Sequence, residues 1–282
     1  MNTDHRRQQE LWQRILVVVL ALLAILFIAP ILIVLMNSFK SKFFISSEPF
    51  KFPNPDTFTG RENYIEGARK IGFFKAFGYS LFITVFSIIG ISLATSMLGW
   101  YVTRVKNTFT TVVYYLLVFS MIVPFQMVMF TMSKTANMLH LDNPIGILVL
   151  YVGFGAGLGT FMFSGFIKTI PLSLEEAAMI DGATAPQTFF RIVYPMLKST
   201  AITVAILNAM WVWNDYLLPY LTIGIEYRTI PVAIQYLRGG YGAVDMGAMM
   251  AMLVLAMVPI IVFYLVMQQH IIKGVVAGAV KG

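Results

Sequence analysis

The sequence lacks the residues on which several kinds of site depend. It contains no cysteine, which excludes disulfides and thiolate metal sites. Its three histidines, His5, His140 and His270, lie too far apart in sequence to show a metal-binding spacing. No G-x-x-x-x-G-K-[ST] motif occurs, so the chain has no phosphate-binding loop of that type for ATP. No catalytic constellation is present either, and we expect a protein that is not an enzyme and binds neither metal nor cofactor.

Charged residues are also scarce, and their scarcity defines the class of protein. Only 12% of the 282 residues are charged and 58% are hydrophobic, which is too apolar for a soluble domain of this size. The net charge is +7, but the basic residues are scattered along the chain and form no cluster with aromatic residues, which argues against nucleic acid as a partner. The sequence therefore predicts an integral membrane protein in a lipid bilayer.

Long stretches without charged residues indicate how often the chain crosses the membrane. One helical span needs about 20 apolar residues, and the fifth stretch reaches that length only if it continues through Asp215. We predict one all-α membrane domain over 1–282 with six transmembrane helices, at about 15–37, 76–103, 109–133, 144–167, 199–222 and 246–271. The first span has the basic start of a signal peptide but a longer apolar run, so we expect a retained anchor.

A polar segment between two predicted spans, residues 173–195, has the pattern of a helix-turn-helix hairpin. Each helix begins with a pair that has capping-box spacing: Ser173 with Glu176, and Thr184 with Gln187. Gly182 suits a left-handed helix end between them, and Pro195 is expected to close the segment. From these features alone, an amphipathic loop on the bilayer surface is the simpler interpretation.

The same hairpin resembles the cytoplasmic EAA loop of membrane subunits of ATP-binding-cassette (ABC) importers. In that family Glu-Ala-Ala is followed three residues later by Asp-Gly-Ala and then by a hydrophobic-Pro pair, for which this chain has Tyr194-Pro195 in place of an aliphatic residue and proline. The resemblance implies that the hairpin is a coupling helix docked on an ATPase subunit. The residues expected to couple to the ATPase are Glu175, Glu176, Ala177, Ala178, Asp181, Gly182, Ala183 and Pro195.

The fifth predicted span carries the polar residues best suited to a solute path. Asn208, Trp211 and Asp215 fall on one helical face, and polar residues inside a membrane are costly unless they serve a function. Asn214 and Asp215 can hydrogen-bond hydroxyls while an indole stacks on a sugar ring. An interfacial aromatic belt explains these residues equally well. The string Trp-Asn-Asp-Tyr-Leu at 213–217 resembles one in the same family and favours the pathway, for which we predict Asn208, Trp211, Asn214 and Asp215.

Three other features bear on this interpretation. The loop at 40–75 resembles the corresponding loop of carbohydrate-importer permeases, although a solvated connector fits it as well. The last residues, 278–282, resemble the tail of maltose-type permeases, for which an idle terminus is the alternative. Glycines spaced by four in the fourth span predict close packing of helices: Gly153 with Gly157, and Gly155 with Gly159.

The resemblance implies a type I ABC importer permease fold and a carbohydrate-uptake function like that of the maltose transporter permease. The implied partners are a second permease subunit, two ATPase subunits that carry ATP and magnesium, and an extracytoplasmic solute-binding protein. Lysine and arginine are equally numerous on the two sides of the membrane, ten on each, so the placement of both termini in the cytoplasm of a bacterial plasma membrane rests on the resemblance.

Two other functions remain open from the sequence. Within the importer class, the solute could instead be a polyol or a glycerol phosphate ester. An ion-coupled secondary transporter is the rival from another class. It predicts ionisable relays deep in several spans, whereas five of the six predicted spans contain no charged residue.

Overall fold

A computed structural model describes the backbone of residues 2–237 and 245–279, and the side chains of 10–237 and 245–269. The helices in chain order are α1 (Asn2–Asn37), α2 (Lys42–Ile45), α3 (Gly60–Ile71), α4 (Phe73–Arg104), α5 (Thr108–Ser120), α6 (Phe125–Met138), α7 (Gly146–Ile167), α8 (Leu172–Ile180), α9 (Ala185–Thr188), α10 (Tyr194–Met196), α11 (Lys198–Asn214), α12 (Leu217–Thr222), α13 (Ile230–Gln235) and α14 (Met246–Ala279). A π-helical turn, Phe189–Val193, connects α9 to α10.

Four of these helices are long and apolar enough to cross a membrane: Glu10–Asn37, Phe73–Arg104, Gly146–Ile167 and Met246–Gln269. Two further pairs pass the same test only as bent pairs. The pair of Thr108–Ser120 with Phe125–Met138 is bent by 110°, and the pair of Ala185–Met196 with Lys198–Asn214 is bent by 76°. The described residues thus hold four to six candidate spans, and the predicted number of six stays a prediction.

Two of the predicted spans are interrupted, and in each a single residue gives the physical reason. The helix expected over 109–133 is broken before Pro124, whose ring and missing N–H prevent α5 from continuing into α6. The helix expected over 199–222 ends at Asn214, because Asp215 is extended, with φ −71° and ψ 125°. Its carboxylate then accepts hydrogen bonds from the first amides of α12, as an N-cap residue does.

The chain divides into two compact units. One comprises Met1–Gly72 and Ile234–Val258, and the other Phe73–Ala233 and Pro259–Gly282. The prediction of one membrane domain over the whole chain stays a prediction.

In the first unit, two residues of α3 hydrogen-bond to the segment that follows the end of α1. The Asn63 amide donates to the backbone carbonyls of Ser38 and Lys40, both at 2.8 Å. The hydroxyl groups of Ser38 and Tyr64 lie 2.8 Å apart. These contacts give Asn63 and Tyr64 a local structural role in the 40–75 loop. None of the most apolar part of α1 is buried in this chain, so lipid or another protein must cover it.

An ion pair joins α3 to the residue that precedes α14 in the same unit. Lys70 Nζ donates to Asp245 Oδ2 at 2.5 Å, and Asp245 Oδ1 accepts the amide of Ala248 at 3.2 Å. Partial burial alone would raise the pKa of Asp245. The hydrogen bonds from Lys70 and Ala248 together with the charge of Lys70 outweigh burial and hold this pKa below its ordinary value.

In the second unit, α7 packs closely on its neighbours through glycine. A Cβ atom built on Gly155 or Gly159 would overlap side chains of α4, and one built on Gly157 would overlap α5. The predicted packing role is confirmed for these three, because any side chain would push the helices apart. Gly153 differs, since a Cβ there would meet no atom within 4 Å.

Candidate functional site

The turn of the predicted hairpin is built as its glycine suggested. Gly182 has a φ of 84°, in the left-handed region where glycine carries no steric cost. The amide of Ala183 donates to the carbonyl of Ala178 at 2.9 Å, and that of Gly182 donates to the carbonyl of Met179 at 3.1 Å. This pair of bonds is the Schellman ending of a helix, and it satisfies two carbonyls at the end of α8.

The beginnings of the two hairpin helices differ from the prediction in one case. The prediction of a capping box between Ser173 and Glu176 is wrong, because α8 begins at Leu172 and Pro171 takes the N-cap position with an extended backbone. At the second helix, Gln187 Oε1 accepts the Thr184 amide at 2.8 Å, as predicted. Pro195 does not close the segment, since it lies inside α10 and the 76° bend follows at residue 197.

The residues predicted to couple to the ATPase divide into an exposed and a buried group. The exposed ones are Glu176, Ala177, Asp181, Gly182 and Pro195, while Ala183 is half-buried and Glu175 and Ala178 are buried. Two large apolar side chains, Met179 and Ile180, are exposed next to the turn, and Ile180 is 85% exposed. The tip of the hairpin therefore combines acidic and apolar groups that no part of the described chain covers.

Glu175 is held inside the protein by the end of α4. Its side chain is 1% exposed, and Oε1 accepts hydrogen bonds from Arg104 Nε at 2.9 Å and Nη2 at 2.7 Å. Its other oxygen, Oε2, accepts the indole N–H of Trp100 at 2.9 Å. Arg104 Nη2 also donates to the carbonyl of Ile170 at 3.0 Å. Glu175 was predicted on the docking surface, but in this conformation its carboxylate is turned away from it.

Of the residues predicted for the solute path, Trp211 and Asp215 are brought together by a residue that the prediction missed. The hydroxyl of Tyr151, on α7, donates to Asp215 Oδ2 at 3.0 Å. The ring of Trp211 meets that of Tyr151 edge to face, with centroids 5.4 Å apart. The sequence signal for Tyr151 was weak, because its hydroxyl is one of a few polar groups, with those of Thr160 and Ser164, in an apolar and glycine-rich span.

The two asparagines predicted for the same path are placed differently. Asn208 is 2% exposed, and its amide nitrogen donates to the carbonyl of Val204 at 2.8 Å. Asn214 is exposed, and its amide nitrogen donates to the carbonyl of Met210 at 2.7 Å. Trp213 packs away from this pair, edge to face on Phe77 with ring centroids 5.8 Å apart. Both asparagine amides thus bond within α11, and their role in a solute path stays a prediction.

Comparison with known proteins identifies the family. A family model described as the inner membrane component of binding-protein-dependent transport systems matches residues 86–276, which include both the hairpin and the Trp211–Asp215 region. The chain belongs to this family. It is therefore a multi-pass membrane subunit of a transport system and not an enzyme. The resemblance seen in the hairpin is confirmed.

Relatives of this inner membrane component cover almost its whole length. A probable starch degradation products transport system permease protein, AmyC, from Thermoanaerobacterium thermosulfurigenes is 37% identical over 92% of this chain and 93% of its own. A multiple sugar-binding transport system permease protein, MsmG, from Streptococcus mutans is 34% identical over 94% of this chain and 95% of its own. Family membership overturns the interpretation as a self-sufficient ion-coupled transporter.

The fold is that of an importer permease. The crystal structure of a bacterial ABC transporter that imports the acidic polysaccharide alginate matches with a TM-score of 0.72 and 21% identity, over 93% of this chain and 97% of that one. The expected all-α, type I importer permease fold is thereby confirmed. The tail at 278–282, which also resembled this family, lies beyond the residues whose side chains are described.

Proposed function

We propose that this chain forms half of the translocation pathway of a bacterial ABC importer for a sugar or an oligosaccharide. The observation that carries the proposal is that relatives matching more than nine-tenths of the chain are named for starch products and for multiple sugars. The system includes a binding protein, and we assign the remaining subunits as a second permease and two ATPases. ATP and magnesium bind to those ATPases, since this chain has no phosphate-binding loop of the usual type.

The exposed tip of the hairpin supports the assignment of an ATPase partner. Glu176 and Asp181 offer negative charge and Ile180 offers apolar surface, a combination typical of the rim and centre of a protein interface. Docking there places the hairpin and both termini in the cytoplasm. When the ATPases close on ATP, they pull the hairpins together and turn the cavity of the permease pair outward. ATP hydrolysis returns the cavity to its inward-facing state, as in a rigid-body switch.

We assign solute contact in the path to three neighbouring side chains, those of Trp211, Asp215 and Tyr151. Trp211 is 39% exposed and presents an indole on which the apolar face of a sugar ring can stack. The Asp215 carboxylate has acceptor capacity beyond the hydrogen bonds that it receives from Tyr151 and α12, so it can accept from a sugar hydroxyl. Asn208 and Asn214 belong to the same proposed path through their position on α11.

Purification of the tagged protein from its own membranes tests the assembly. We expect a second permease and an ATPase to co-purify at two ATPases per permease pair, with the binding protein joining when sugar is added. A chain that purifies alone with full transport activity would contradict the proposal. If the purified complex takes up a polyol or a glycerol phosphate ester in place of sugars, the solute assignment is wrong although the importer assignment stands.

A further inference from the structure

The buried side of the hairpin points to a part of the coupling machinery that lies outside the docking surface. Glu175 and Glu176 are adjacent in sequence, yet Glu176 is exposed and the side chain of Glu175 is 1% exposed. Burying a carboxylate is expensive unless its oxygens are paired and hydrogen-bonded. Three donors from α4 meet that need here, two from Arg104 and one from Trp100.

Trp100 holds both arms of the hairpin at once. Its indole N–H binds Glu175 on the first arm, and its ring lies 5.3 Å, between centroids, from that of Phe189 on the second arm. Phe189 belongs to a buried apolar cluster that also draws residues from α4, α7, α11 and the segments between the helices: Ile91, Phe163, Ile167, Ile170, Val193, Leu197 and Val204. Trp100 and Arg104 are four residues apart on α4 and therefore face the hairpin from the same side.

Arg104 adds a second connection of the same kind. Besides its two bonds to Glu175, its Nη2 binds the carbonyl of Ile170, in the segment between α7 and α8. The Arg104 side chain is 18% exposed, so water weakens this pair less than it weakens a surface salt bridge. The end of α4, the end of α7 and the beginning of the hairpin therefore meet at one guanidinium group.

We propose that Trp100, Arg104 and Glu175 form a latch that fixes the coupling hairpin to α4, so that force applied to the hairpin moves α4 and the glycine-packed α7 as one body. The inference rests on the proposed coupling function. These are positioning residues, because none of them needs to touch the ATPase or the sugar. Their contribution is stiffness, since a pull on a loosely held hairpin moves the hairpin without the spans.

The test compares how many sugar molecules the reconstituted complex imports per ATP hydrolysed. Glu175→Gln removes the charge that Arg104 pairs with and keeps the side-chain size. We expect sugar imported per ATP to fall roughly several-fold, because each 1.4 kcal/mol lost from the buried pair lowers the ratio of latched to unlatched hairpins about tenfold. The control is Lys106→Gln, which removes an exposed positive charge two residues from Arg104 and should keep the wild-type ratio.

A distance measurement separates a latch from a merely structural role. The chain has no cysteine, so single cysteines at the exposed Ser173 on α8 and Val105 after α4, both away from the hairpin tip, can carry spin labels without other changes to this chain. In the wild-type complex we expect the same narrow distance with and without ATP. In Glu175→Gln we expect the distance to change when ATP binds, because the hairpin then moves without α4.

The outcomes are distinguishable. A wild-type complex without ATP-driven sugar uptake overturns the proposed function. A wild-type complex that is coupled, with an equally coupled Glu175→Gln variant whose label distance does not respond to ATP, overturns the latch alone. If Glu175→Gln fails to assemble, Trp100→Phe decides, because it keeps an aromatic ring beside Phe189 while it removes the N–H donor together with part of the indole. A lowered sugar-per-ATP ratio in that variant supports the latch, and a wild-type ratio overturns it.

Discussion

Replacement of Gly182 by valine tests whether the shape of the hairpin turn matters for coupling. Gly182 has a φ of 84°, and a Cβ atom there would meet nothing within 4 Å. Steric crowding by neighbouring residues therefore adds nothing to the free-energy cost of the substitution. That cost is the local strain of a β-branched residue in the left-handed region, about 1 to 3 kcal/mol. That free energy lowers the population of the native turn about 5- to 150-fold relative to other conformations.

The assay measures sugar uptake and ATP hydrolysis in the same vesicles. We expect uptake per ATP to fall in Gly182→Val while ATP is still hydrolysed, because a distorted hairpin transmits less motion to the spans. Gly182→Asn is the first control, since asparagine tolerates the left-handed region and should retain most of the uptake. Gly165→Val is the second, because Gly165 on α7 also has free space around it but lacks a positive φ.

Two results would contradict this expectation. One is wild-type uptake per ATP in Gly182→Val, which would mean that the turn can change without loss of coupling. The other is an equal loss in Gly165→Val, which would mean that added bulk and not backbone strain is responsible.

Two further predictions concern the polar end of α11 and the residue before α14. Asp215→Ala should lower uptake roughly 2- to 13-fold, the equivalent of one hydrogen bond of about 0.5 to 1.5 kcal/mol, and leave the sugar affinity of the isolated binding protein unchanged. Normal uptake in that variant, with the complex assembled, would favour the aromatic-belt interpretation. Because the pKa of Asp245 is lowered in the folded protein, its contribution to stability is present above its ordinary value of 3.8 and is lost as the pH falls through the lower folded value. Thermal unfolding of Asp245→Asn should therefore lose this acid-side pH dependence, and an unchanged pH dependence would argue against the role of the Lys70 pair.

Local features of the hairpin were predictable from the sequence because they depend on neighbouring residues. The left-handed glycine and the Thr184–Gln187 bond act within a few positions, and both are present. The capping box at Ser173 failed because Pro171, only two residues earlier, begins the helix first. The partner of Glu175 was out of reach, since Arg104 lies 71 residues away and no spacing rule connects them.

The membrane spans, too, were predictable from the sequence only in part. Apolar length identified four unbroken helices, because transfer into lipid depends on composition summed over a segment. It could not identify the 110° bend before Pro124, because hydropathy carries no information about chain direction. Trp211 and Asp215 were expected together on one helix, yet α11 ends at Asn214 and it is Tyr151 that joins them.

ATP-driven sugar uptake by the purified complex is the decisive test of the proposed function. The complex is reconstituted into vesicles with its binding protein, and uptake of labelled oligosaccharides is measured with ATP, without ATP, and with this chain alone. We predict uptake that requires ATP, the binding protein and the ATPase subunits, and none by this chain alone. Uptake by this chain alone in response to a proton or sodium gradient would show that the proposed function is wrong.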